Sequence, residues 1–259
     1  MTTQASSLLM SPPPLEVAGI DGTIADLGRR GVHRDTEADG AAADMLPAHG
    51  QVVDLLAPIS PLRRVPVQGR SVARVARMLD ACAELVDEVG YEALTTTLLA
   101  ERAGVAIGSI YQFFPDKRAV VQALTLRNLE AYLVRLSSRF TDEHFASWWD
   151  GIDAAIDEYV TMHRDVPGFR TLHFGDVVDV HLLDEDRDNN QVIAAALTTL
   201  MWRSFGIEPS EVNFSITIAV EIADALIKLA FHRIPSGDPT ILAEAKTLIH
   251  AYLTDHVRA

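Results

Sequence analysis

From Arg70 onward the apolar residues fall at helical spacing. Val72, Val75, Ala76, Leu79, Cys82, Ala83 and Val86 recur at three- and four-residue steps, which puts them on one face of a helix. Gly90 follows at a C-cap position, so the spacing predicts a first helix over 70–89. Thr95 is a good N-cap for a second helix over 96–103, closed by Gly104. A third, short helix over 106–113 stops at Pro115, and Asp116 opens a long fourth helix to about Phe140. Helical segments are further expected near 142–165, 168–183, 188–205, 209–233 and 239–257. Their breaks are marked by Pro167-Gly168, the polar run DEDRDNN, Gly206 with Pro209, and PSGDP. No alternating strand pattern with hairpin signals and no repeat of 20–50 residues is found. The expected fold class is all-α.

The pattern is absent before Arg70. Residues 1–68 contain no aromatic side chain but hold 7 of the 12 prolines, so this stretch can bury little and reads as a largely disordered N-terminal extension. A weak helical piece around 44–56 is the one exception. The expected organisation is therefore an extension over 1–68, a helix-turn-helix head over 69–117 and a larger helical bundle over 118–259.

Helices two and three carry the argument for the head. Ala100, Gly104 and Ile110 have the spacing a helix-turn-helix demands: a small residue where two helices cross, a glycine for the left-handed turn, and an aliphatic that pins the second helix. In that motif the second helix enters the major groove of DNA. This explains why a helix of about two turns carries Ser109, Tyr111 and Gln112. The Gln112 amide can donate and accept at a base edge, while the Ser109 and Tyr111 hydroxyls suit phosphate oxygens. Thr95 and Thr97 stand at the start of helix two, where backbone N–H groups attract a phosphate. Lys117 offers a point charge. Taken alone, YQFF is more readily a core segment, and Phe114 is assigned to the core.

Charge at first opposes a nucleic-acid partner, because the net charge is −14 and phosphate binding needs a basic footprint. Its distribution removes the objection. Residues 142–259 carry 8 basic and 20 acidic groups, whereas residues 70–141 carry 9 and 8. No acid lies between Asp54 and Asp80, and Arg63, Arg64, Arg70, Arg74 and Arg77 all fall in that window, with Arg70 at the start of helix one. A basic edge survives on an acidic protein.

The stretch AERAGVAIGSIYQFFPDKRAVVQAL, within residues 70–135, resembles the tetracycline-repressor (TetR) family of bacterial transcriptional regulators, whose N-terminal unit typically ends in GSLYxYFxxK. The resemblance implies a three-helix DNA-binding head, a fourth helix linking it to a helical ligand-binding domain, and dimerisation through the last two helices. Carried over, Thr95, Thr97, Ser109, Tyr111, Gln112, Phe113 and Lys117 occupy DNA-facing positions. Ala106 departs from the usual capping Ser or Thr, which weakens that cap by ~1 kcal/mol. Phe113 departs from the usual Tyr or His, and the extension before Arg70 is a further departure.

Beyond residue 142 the resemblance implies a role but no ligand. Trp148, Tyr159, Met162, Phe169, Phe174, Trp202 and Phe214 are large apolar residues suited to a cavity wall, with His163, His173 and Thr217 as orienting polar groups; filling of the core is the plainer reading of each. His173, Asp176 and His181 lack a third ligand at telling spacing, and neither a metal nor a cofactor is expected. The segment 211–233 is apolar around much of its circumference, so with 239–257 it suits contact with a second copy. No arrangement has recognisable catalytic spacing. No run reaches the roughly 18 apolar residues of a membrane helix, and a cytoplasmic location is expected. The leading expectation is a ligand-responsive regulator, most simply a repressor, that binds a near-palindromic double-stranded operator as a homodimer and releases it on binding a small apolar effector. An activator, a ligand-independent regulator, or a helical small-molecule-binding protein with a vestigial helix-turn-helix stay open.

Overall fold

The computed structural model describes residues 69–171 and 189–257. Within them the chain forms eight helices: α1 (Gly69–Ala93), α2 (Thr96–Ala103), α3 (Ile107–Phe113), α4 (Lys117–Asp142), α5 (Trp148–Asp165), α6 (Asn189–Phe205), α7 (Pro209–Phe231) and α8 (Pro239–Thr254). No strand occurs among the described residues. The expected helix at 44–56, the extension and the segment holding His173, Phe174, Asp176 and His181 lie outside them.

The head forms where α1 packs on α2 and α4, and α2 on α3. Val75, Met78, Leu79 and Cys82 of α1 are fully buried, as their spacing requires. Regular helix is interrupted at Gly90 (φ 76), where the sequence places the end of the first helix. α4 then serves two units, packing on α1 at one side and on α5 and α6 at the other. The bundle closes with α7 lying along both α6 and α8.

Two stretches expected to open helices are not helical. Residues 143–147 are not helical, and α5 opens at Trp148 through a reciprocal cap. There the Asp150 amide donates to Ser147 Oγ (3.3 Å) and the Ser147 amide to Asp150 Oδ2 (2.9 Å). Residues 168–171, expected to begin a helix, instead form a turn against the head. Gly168 sits there at φ +74, and a Cβ on it would lie 2.9 Å from Ala83 Cα. Its amide donates to Asp87 Oδ2 (2.8 Å), and the Thr171 hydroxyl donates to the other carboxylate oxygen. A second tie, Arg127 to Asp80 (2.6 Å), joins α4 to α1.

Candidate nucleic-acid interface and an apolar cavity

The turn between α2 and α3 has the geometry its sequence demands. Gly104 adopts φ 63 and ψ 40, and the Val105 amide reaches back to Ala100 O (3.0 Å). Ala100 is buried at the crossing, and Ile110 is fully buried under α3. That seating fixes which residues of α3 face out. Gln112 is exposed, Tyr111 is 45% exposed, and Ser109 is half-buried beside them. The Tyr111 hydroxyl and Thr96 Oγ1 are 3.0 Å apart, so the start of α2 and the outer face of α3 form one surface. Thr95 and Thr97 belong to that surface and are exposed, with Thr95 Oγ1 accepting from the Leu98 amide (3.1 Å) as the N-cap. Ala106 makes no side-chain cap, as its residue type dictates. Arg70 is exposed near the start of α1.

Two residues of the expected interface depart from it. Phe113 is only 3% exposed. It stands three residues after Ile110 and therefore shares that residue's inward face, which the spacing alone could have revealed. The Lys117 ammonium is turned inward to the end of α1, donating to Tyr91 O (3.1 Å) and Glu92 O (3.2 Å) and lying 4.6 Å from the centre of the Tyr91 ring. A lysine among the last carbonyls of a helix satisfies groups that have no partner within the helix.

The bundle contains a cavity of about 50 Å³ walled almost wholly by aliphatic side chains. α4 supplies Tyr132; α5 supplies Ile152, Ile156 and Tyr159; α6 supplies Asn190, Ile193 and Leu197; α7 and α8 complete it with Ile216, Asp224, Ile227 and Ile249. The Tyr132 hydroxyl donates to Ala155 O and the Tyr159 hydroxyl to Asp224 Oδ1, both at 3.1 Å. Burial pushes both phenols well above their ordinary range, and the Asp224 charge adds to this for Tyr159.

Of the expected ligand residues, Tyr159 lines this cavity. Met162, His163 and Phe169 are buried behind it, the His163 ring packing on those of Tyr159 (4.5 Å), Phe169 (5.0 Å) and Phe231 (5.0 Å). Trp148 is half-buried away from the cavity, facing Trp149 and His250 (both 6.1 Å). Trp202 and Phe214 are corrected outright: they are 45% and 75% exposed, on the outer faces of α6 and α7. Thr217 turns its hydroxyl back to Asn213 O (2.8 Å) within its own helix. His173 and Phe174 fall outside the described residues. Sequence reasoning missed Tyr132, Asn190 and Asp224. Only Asp224 left a signal, as a carboxylate inside the otherwise apolar run IADALI.

Comparison with known proteins agrees with both halves. The family described as "Bacterial regulatory proteins, tetR family" matches residues 78–124, and "Tetracyclin repressor-like, C-terminal domain" matches residues 146–257. A TetR-family transcriptional regulator from Streptomyces coelicolor, known as a crystal structure, is 40% identical, with a TM-score of 0.62 over 71% of this chain and 99% of that one. The chain belongs to the TetR family. Among curated TetR-like relatives, the transcriptional repressor KstR of Rhodococcus jostii (strain RHA1) is 39% identical over 26% of this chain and 29% of its own. The regulator UidR of Escherichia coli (strain K12) is 25% identical over 46% of this chain and 54% of its own. The chain thus spans about half the length, or less, of these curated relatives. No helix among the described residues is long and apolar enough to cross a membrane.

Proposed function

We propose that this TetR-family chain is a homodimeric transcriptional regulator that binds operator DNA through α2 and α3, acts by binding rather than catalysis, and responds to a small molecule in its bundle as a repressor. The observation that carries the reading is the division of α3. Ile110 and Phe113 are buried beneath it while Tyr111 and Gln112 project from it beside the exposed start of α2. A polar outer face on a seven-residue helix, seated by a glycine turn, is what major-groove docking requires. In this reading Gln112 reads a base edge, and Ser109, Tyr111, Thr95, Thr97 and Arg70 hold phosphates.

A dimer follows from the other end of the molecule. On α7, Phe214 and Leu229 stand on an outward face at 75% and 56% exposure, while Ile216, Ala219, Val220 and Ile227 of the same helix are buried. On α8, Leu248 is 46% exposed. Two apolar faces on one helix are explained by one core behind it and a second copy in front. Phe214→Asp is expected to raise the dimer dissociation constant by about 30-fold or more, read by analytical ultracentrifugation.

The deciding experiment is fluorescence anisotropy of the purified full chain with the DNA upstream of its own gene, against scrambled DNA, over a salt series. The reading expects a salt-dependent preference for the native segment that Tyr111→Ala with Gln112→Ala abolishes in a folded protein. Loss of all DNA binding, or equal binding to every sequence after genome-wide site selection, overturns it.

A further inference from the structure

Three polar side chains at the bundle cavity, Tyr132, Tyr159 and Asn190, each already donate a hydrogen bond within the protein. The Tyr132 hydroxyl donates to Ala155 O, and the Tyr159 hydroxyl donates to Asp224. The Asn190 amide nitrogen donates to Glu221 Oε2 (3.2 Å), which fixes the orientation of the amide because a carboxylate can only accept. That leaves Asn190 Oδ1 buried at the cavity without a partner. Asp224 accepts one hydrogen bond, from Tyr159, and forms no ion pair among the described residues, although a carboxylate has room for about four donors. Among the described residues, no lysine, arginine or histidine lines the cavity. What the walls offer a ligand is therefore lone pairs and one negative charge, set in aliphatic surface.

We propose that this cavity takes a small apolar molecule whose polar end donates hydrogen bonds, a protonated amine before a neutral alcohol, and that it excludes carboxylates. The proposal rests on the reading of the bundle as an effector domain and names the chemistry of that effector. An ammonium supplies donors that Asp224 and Asn190 Oδ1 lack, while the apolar body replaces water against the isoleucine walls. A carboxylate meets only acceptors and a like charge in a medium where charges are poorly screened, which is the repulsive element that selectivity needs.

The test is isothermal titration calorimetry of the full chain with four probes that share one ring: benzylamine, benzyl alcohol, toluene and benzoate. In the wild-type protein benzylamine binds tightest and benzoate weakest, with dissociation constants about tenfold or more apart. Asp224→Asn keeps an acceptor for Tyr159 but removes the charge. It brings benzylamine and benzoate within about threefold of each other, while toluene binding is unchanged and shows that the cavity is intact. Tyr159→Phe removes the one donor Asp224 has and widens the wild-type gap. Benzoate binding as tightly as benzylamine to the wild type, or a gap that survives Asp224→Asn, overturns the proposal while toluene binding upholds the cavity. Failure of all four probes to bind the wild type overturns the effector reading of this cavity as well.

Discussion

The head and the bundle use their aromatic residues in opposite ways. In the head, a run of four residues divides cleanly: Tyr111 projects, while Phe113 and Phe114 are buried. In the bundle, Trp202 and Phe214 face outward and Trp148 packs near α8, while the cavity has only Tyr132 and Tyr159 as rings among mostly aliphatic described walls. The difference is one of locality. The outward face of α3 is decided within about fifteen residues, by a glycine turn and the helical period. The cavity draws on five helices from Tyr132 to Ile249, so no local spacing reports which side chains meet there.

Phe113 is where this contrast breaks most visibly if it is wrong. As a buried ring beneath α3, Phe113→Ala is expected to cost about 3–5 kcal/mol, read as a fall in the urea midpoint at unchanged slope. An alanine variant of wild-type stability with weakened DNA binding would return Phe113 to the interface. Gly168 tests the seam between the two regions. Alanine there meets a left-handed backbone costing ~1–2 kcal/mol, and its methyl is driven onto the Ala83 backbone at 2.9 Å. Gly168→Ala therefore lowers stability by about 2 kcal/mol or more. In a still-folded variant it also weakens the effect of any bundle ligand on DNA affinity, since the turn that docks on Asp87 can no longer sit flush. Ordinary coupling in this variant would show that signals cross elsewhere, through α4 and its Arg127–Asp80 tie.

Within the head, Gln112→Ala is expected to cost about 1–3 kcal/mol for the cognate site and nothing for scrambled DNA. Arg70→Ala should weaken both alike and reduce the salt slope by about one. Anisotropy over a salt series separates the two. If Gln112→Ala weakened every sequence equally, the head would hold DNA without reading it.

How much of this was legible in the sequence follows the same line. The ends of α2 and α3 fall where Thr95, Gly104 and Pro115 put them, because caps and turns are local chemistry. Phe113 was misplaced by following a motif position in preference to its own spacing from Ile110. Lys117 was read as a free charge because nothing in the chain shows that α4 begins beside the end of α1. The break at 143–147 was hidden, since Phe145 and the tryptophans kept the apolar pattern running through it. In the bundle, long apolar helices were plain, but their rotation was not. Trp202 and Phe214 were assigned inward on hydrophobicity, and which face of a doubly apolar helix turns inward is settled only by its neighbours.

The smallest expected effect compares one arginine clamp from each region. Arg102 of α2 bridges Glu84 (3.1 Å) and Glu88 (2.6 Å) on α1, at the surface. Its hydrogen bond to Glu88 holds that carboxyl below the ordinary range. A carboxyl depressed in the folded state contributes stability above its unfolded value, near pH 4.3, and loses it as pH falls through the folded one. Arg102→Gln should therefore shift Tm by at most a few degrees at pH 7, less in high salt, and still less below about pH 4. Arg139 of α4 likewise depresses Glu143, through a hydrogen bond of 2.8 Å, but it also donates to Ala154 O (2.8 Å) at a part-buried site. Arg139→Gln removes that hydrogen bond to a carbonyl inside α5, a loss that neither salt nor acid removes. Thermal unfolding of both variants over pH and salt should show the Arg102 effect vanishing in acid while part of the Arg139 effect persists. Equal screening of the two would mean that the Ala154 bond contributes nothing and that both clamps are surface charge alone.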